Sequence, residues 1–271
     1  MGITLKDPSD WRRNDYSRWS DLIEIHCLFH SDHYLTVDDA RGIIFYKTES
    51  LEDELEDDDS SHAEQSDRKS LIIEDIFSVL KQRMNLIGGD YPFIVGKDSI
   101  ELCSDAGEKK YNTYKFLLLC SNLLFLTRSD RDKVTKEFEV CSYYAMKSLL
   151  PQTFKTYIFG TSRVDSVFTG TVRARVEKLA ELLHSSTTDD FNIDSRYDVS
   201  GGDAGLDLVS FVPLDDEAFV PLVLGQCACS YTEWNSKQFD LDPDKWKGRI
   251  KGIPSFIRMM FVPNVVNFTT T

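Results

Sequence analysis

A chain of 271 residues with 41% apolar content can bury a substantial core, either as one large domain or as two ordinary ones. Its net charge of −14 excludes a surface coated with Lys and Arg, which would bind nucleic acid non-specifically by releasing counterions from phosphates. Any nucleic-acid contact must therefore be local, and ten acidic residues among the nineteen from Glu49 to Asp67 mark that run as a solvated loop that inflates the total.

In chain order, the first half reads as mixed helix and strand. Ser70 is read as the cap of a helix whose apolar positions Ile73, Ile76, Phe77, Leu80 and Met84 recur at helical spacing, with Gly88 and Gly89 ending it. YPFIV and SIELC then flank Gly96-Lys97-Asp98, a connection suited to a β-hairpin. Helix followed by hairpin is compatible with a winged-helix-like module and equally with many other α+β domains. Helices are predicted around Tyr114 to Leu126 and Thr135 to Leu150. Pro151 cannot continue the second helix, which makes it the candidate domain boundary, with domains at 1–150 and 151–271.

Beyond Pro151 the pattern predicts a short strand near Tyr157 to Phe159, a helix from Thr171 to His184 and a polar linker. Two strands follow in GLDLVSFVPL and AFVPLVLGQCAC, then a helical stretch from Thr232 to Gln238 and a last strand in FIRMMFV. The tail VVNFTTT reads as an arbitrary stop, so the chain is expected to be truncated there. The six cysteines mostly sit in apolar runs, where a reduced thiol packs as a small hydrophobe, and a cytoplasmic, disulfide-free protein is expected. No run approaches the roughly 18 apolar residues of a membrane span, and MGITLKDPSDWRRND lacks the apolar region of a signal peptide.

Two polar residues stand out in the apolar strands of the second half. Alternation places Asp207 with Val209 and Phe211 on one face, and Gln226 with Leu224 and Ala228 on one face. A buried carboxylate needs a partner, and a Mg²⁺ ion, which takes oxygen ligands and is often held by one or two side chains, is one such partner. The glycines of GGDAGLD would let the backbone turn tightly and leave the carboxylate open to a substrate phosphate.

GGDAGLDLVSF, followed nineteen residues after Asp207 by the Gln of LVLGQCA, resembles the PD-(D/E)xK restriction-endonuclease-like nucleases, particularly the Mrr-like branch. The resemblance spans about Thr171 to Pro263. It implies an α/β core, in a chain α+β overall, in which helices flank a short mixed sheet after an α+β N-terminal domain. It also implies DNA cleavage with Mg²⁺ or Mn²⁺, a role in restriction or antiviral defence, and a protein partner in a defence complex. Asp207 would be the central metal carboxylate, Gln226 would stand for the second acidic residue, and the backbone carbonyl of Cys227 would be a further ligand. The branch takes a Glu from a helix before the sheet, a place given to Glu177 in RVEKLAELL, with Glu181 and Glu139 as substitutes. The lysine expected two residues after Gln226 is replaced by Ala228. Lys237 in YTEWNSKQF, on a helix anchored by Trp234, is the substitute the resemblance offers.

Three other patterns are weaker. Cys227-x-Cys229 has no second ligand pair and reads as packing, and His26, Cys27, His30 and His33 lack an evident fourth ligand for Zn²⁺. Walker-type and G-x-S-x-G motifs are absent. The missing strand lysine and the Gln also permit an inactive nuclease-fold scaffold, or a nucleic-acid-binding or protein-interaction module.

Overall fold

In the computed structural model, residues 16–45, 62–160, 167–202, 204–214, 220–229 and 234–263 are described. Most of the acidic run and the last eight residues lie outside them. The chain divides into two compact units, Met1–Thr127 and Arg128–Thr271.

The first unit packs α1 (Tyr16–Phe29), α2 (Val37–Phe45) and α3 (His62–Ile87) on a small antiparallel sheet. Its strands β1 (Tyr34–Thr36), β2 (Phe93–Val95) and β3 (Ser99–Leu102) lie in the order β1-β3-β2. The hairpin at Gly96 is present, with the Gly96 N–H donating to the Ser99 carbonyl at 2.9 Å. Ser70 is not a cap. Helix α3 begins eight residues earlier, inside the segment read as a loop, and the Ser70 hydroxyl donates to the Ser66 carbonyl within the helix. α4 (Asn112–Ser121) follows.

A buried polar cluster ties this unit together. Glu24 accepts from Arg83 at 2.9 Å, from the Tyr91 hydroxyl at 2.5 Å and from Tyr114, while Asp21 pairs with Arg83 at 2.6 Å. Burial raises the Glu24 carboxyl above its usual range, and the Arg83 charge opposes that shift.

The second unit starts with α5 (Arg128–Leu149), which the Pro151 boundary would have left in the first domain. Proline fixed where α5 stops, but α5 packs on β4 (Lys155–Ile158) and β6 (Leu222–Cys227), so it belongs to the sheet that follows it. With β5 (Leu208–Phe211) and β7 (Phe256–Phe261) these strands form one sheet in the order β4-β5-β6-β7. β4, β5 and β6 are antiparallel neighbours, and β7 runs parallel to β6. The sheet is therefore mixed, and the chain as a whole is α+β.

On one face α6 (Val172–Leu182), capped by the Thr171 hydroxyl, buries Val172, Val176 and Leu179 against Val209, Phe211, Leu222 and Leu224. On the other, Ser142 of α5 bonds the Cys227 thiol. Two short helices have no counterpart in the sequence reading: α7 (Asp189–Ile193), capped by Thr188, falls in the stretch read as polar linker, and α9 (Pro243–Lys247), capped by Asp242, in a stretch given no element. Between them in sequence lies α8 (Trp234–Lys237).

Candidate active site

Asp207 stands at the entrance to β5, held by the neighbouring strands on both sides. Its N–H donates to the Gly225 carbonyl at 3.1 Å, and its carbonyl accepts from the Phe159 N–H at 2.7 Å. The carboxylate is buried, and Oδ2 accepts the Cys227 N–H at 2.7 Å. Gly225 is what allows so close an approach: a β-carbon there would lie 3.0 Å from Leu208 Cβ and 3.2 Å from the Phe261 ring. Because Leu208 pairs with Gly225, Asp207 and Gln226 are neighbours one step past the last paired residues. Gln226 is 2% exposed, and its Oε1 accepts no hydrogen bond from any described residue. Such an orphaned acceptor costs about 1–3 kcal/mol unless something else fills it.

Lys237 reaches the same place. Its Nζ donates to the Cys227 carbonyl at 3.3 Å. In an extended strand the N–H and C=O of one residue point to the same edge, and the next residue uses the other edge. Here the Ala228 N–H goes to the Phe261 carbonyl of β7, so the Cys227 groups face β5. The Asp207 carboxylate and the Lys237 ammonium thus meet one residue's backbone from the same side. The turn after α8 comes close because Gly205, at φ +73°, offers no side chain; a β-carbon there would lie 2.6 Å from Asp240 Cβ. The Trp234 side chain, the expected anchor, lies outside the described residues.

Glu177 is exposed on α6, where its charge acts on Arg173, and Glu181 on the same helix pairs with Lys178. The helix that precedes the sheet is α5, and its Glu139, one of the two substitutes, lies near the end of β4. A β-carbon on Gly160, next to Phe159, would lie 3.5 Å from Glu139 Oε2. Glu139 and Asp207 both act on the Cys227 thiol, which burial, these two charges and the Cys229 thiol hold well above its ordinary range despite the Ser142 hydrogen bond. Alternation puts the Gln226 side chain on the opposite face of β6 from the Cys227 thiol on which Glu139 acts.

The donors gathered here are oxygens: the Asp207 carboxylate, the Gln226 amide and the Cys227 carbonyl, whose second lone pair remains when Lys237 uses one. Oxygen sets suit Mg²⁺ and Mn²⁺ rather than softer metals, and the orphaned Gln226 Oε1 is the observation that fits a cation. Among the described residues no three His, Cys, Asp or Glu side chains cluster so as to hold a metal, which applies to Cys227 and Cys229 and to the His26, His30 and His33 group alike. The six cysteines are free thiols. No described helix is long and apolar enough to cross a membrane.

Two site-shaping residues escaped the sequence reading. Arg175 is fully buried on α6, and Arg249 follows α9; the sequence signal for the first is an arginine inside the apolar stripe of Val172, Val176 and Leu179. Searches against protein-family models, curated proteins and solved structures found no match for the chain.

Proposed function

We propose that the unit from Arg128 to Thr271 is a restriction-endonuclease-like core that hydrolyses DNA phosphodiester bonds with Mg²⁺ or Mn²⁺. The observation that carries the reading is the meeting of Asp207 and Lys237 on the backbone of Cys227, with Gln226 beside them. Lys237 brings a positive charge to the strand end next to the Asp207 carboxylate, in addition to satisfying the Cys227 carbonyl. The sheet is compatible with the same reading: β4, β5 and β6 pair antiparallel, with α6 and α7 between β4 and β5 in the chain, and β7 is added in parallel.

In this reading Asp207 and Gln226 hold the cation, with Glu139 taking the role first given to Glu177. A divalent cation held there would supply Lewis-acid polarisation of the phosphate and activation of water. Lys237 supports the charge that develops on the phosphate, and the buried setting of Asp207 strengthens each of these interactions. A role in restriction or antiviral defence, in the cytoplasm and with a protein partner, rests on analogy with the nuclease class that the sequence resembles.

A second reading, a nuclease fold kept as a binding scaffold, draws on Ala228 standing where the strand lysine would be and on Gln226 replacing a carboxylate. Incubating the purified chain with plasmid, single-stranded DNA and RNA separates the two, with Mg²⁺ or Mn²⁺ and with chelator. Metal-dependent DNA cutting that Asp207→Ala and Lys237→Met both remove is the expected result. Cutting that survives Asp207→Ala, or intact DNA in both metals, overturns the nuclease reading.

A further inference from the structure

The segment leading into Asp207 has an unusual backbone. Gly202, Ala204 and Gly205 adopt φ values of +88°, +58° and +73°, so the chain makes no regular ladder there and its carbonyls need donors from elsewhere. Two arginines supply them. Arg175 Nη2 donates to the Gly202 carbonyl at 2.5 Å, and Arg249 Nη1 donates to the Ala204 carbonyl at 2.8 Å. The two donors thus grip the loop on either side of residue 203.

Arg175 has a second route to the same carboxylate. Its guanidinium lies 5.7 Å from the centre of the Phe159 ring and its Nη1 donates to the Phe159 carbonyl at 3.5 Å, while its Nε reaches the Thr171 carbonyl at 3.4 Å. The N–H of that same Phe159 donates to the Asp207 carbonyl. One planar, five-donor head therefore joins α6, the end of β4 and the glycine loop, and both of the latter lead to Asp207. A lysine, with a single compact ammonium, cannot satisfy carbonyls set in three directions. A fully buried charged side chain is expensive to keep, which sets Arg175 apart from an ordinary surface arginine. Arg249 is half-buried over the rings of Trp246 and Tyr197, at 4.7 Å and 5.6 Å, and acts on the loop alone.

We propose that Arg175, assisted by Arg249, is a positioning residue that fixes the glycine loop so that the Asp207 carboxylate is preorganised at the end of β6. Its value for catalysis rests on the nuclease reading above; its effect on Asp207 does not. The Cys227 N–H, bonded to Asp207 Oδ2, is a built-in reporter, because its hydrogen exchange tracks whether that carboxylate is held.

In the full chain, Arg175→Lys is expected to accelerate exchange at the Cys227 amide at least tenfold and to leave the Leu208 to Phe211 amides within twofold. In cleavage assays it lowers kcat at least tenfold with KM for DNA within twofold, a split that general loosening of the fold would not give. Arg249→Lys, less buried and so less disruptive to folding, moves both quantities the same way by about threefold, since one loop contact of the set is altered. An unchanged Cys227 amide in both variants overturns the proposal. So does uniform acceleration across the β5–β6 ladder, which would assign the arginines to the fold as a whole. If the wild-type chain does not cut DNA while the Cys227 amide responds, the nuclease reading falls and the positioning role stands. Cutting with an unresponsive amide gives the reverse.

Discussion

Replacing Gln226 with leucine tests whether its amide exists for a ligand or for the fold. The side chain is almost wholly buried, and its Oε1 lacks a hydrogen-bond donor among the described residues. Leaving such an oxygen desolvated costs about 1–3 kcal/mol, so an apolar side chain of similar size should recover that amount when no cation is present. For a unit of 144 residues, from Arg128 to Thr271, each kcal/mol corresponds to roughly 2–4 °C in Tm. In chelator, Gln226→Leu is therefore expected to melt higher than wild type by several degrees. Adding a divalent cation at a hundredfold excess over its Kd should stabilise the wild-type chain by about 2.7 kcal/mol, and the variant should lose that gain. Thermal melts in chelator, Mg²⁺ and Mn²⁺ read both effects at once. A variant that melts lower than wild type in chelator would mean that the amide is already satisfied, and an equal cation response in both proteins would remove Gln226 from the metal site.

The other substitutions probe the remaining parts of the site and the scaffold. Lys237→Met should lower cleavage by about 10²-fold or more through loss of charge support at the phosphate, while the melt shifts only by the lost hydrogen bond to the Cys227 carbonyl, about 1 kcal/mol; unchanged cleavage would take Lys237 out of the site. Glu139→Gln should reduce cleavage, and Glu177→Gln, on the exposed face of α6, should not; the reverse order in a side-by-side assay would return the role to α6. Gly225→Ala should destabilise the unit by about 1–3 kcal/mol in urea melts, because its methyl group meets Leu208 and Phe261 at sub-contact distances. The first unit has a pH signature of its own. Because the folded Glu24 carboxyl is raised above the ordinary 4.5, its contribution is full below that value and is lost as pH rises through the folded one. Urea melts should show this slope in the wild-type chain and not in Glu24→Gln.

What could be read in advance follows from which physical signals are local. The period of two in a strand is local, and it puts Asp207 with Val209 and Phe211, and Gln226 with Leu224 and Ala228, each on one face of its strand; their pairing comes from the resemblance, and in the structure they lie one step past the Leu208–Gly225 pair. Lys237 comes from the same resemblance, and its Nζ does reach the Cys227 carbonyl. Which side of a boundary a helix packs on is not local. Pro151 says where α5 stops, but its buried positions Val134, Phe138, Ser142 and Met146 form a thin stripe on a largely polar helix, with nothing in them to name their partner. The same limit hid α7 and α9, each of five residues, where a single capping side chain carries more of the signal than apolar spacing does. Arg175 shows the limit most clearly. A lone arginine in an apolar stripe reads as a flaw in the pattern until the loop carbonyls it serves, 27 residues further along the chain, are seen to lie against it. The residues that make the site are thus legible one at a time, and the ones that hold them in register are legible only through the fold.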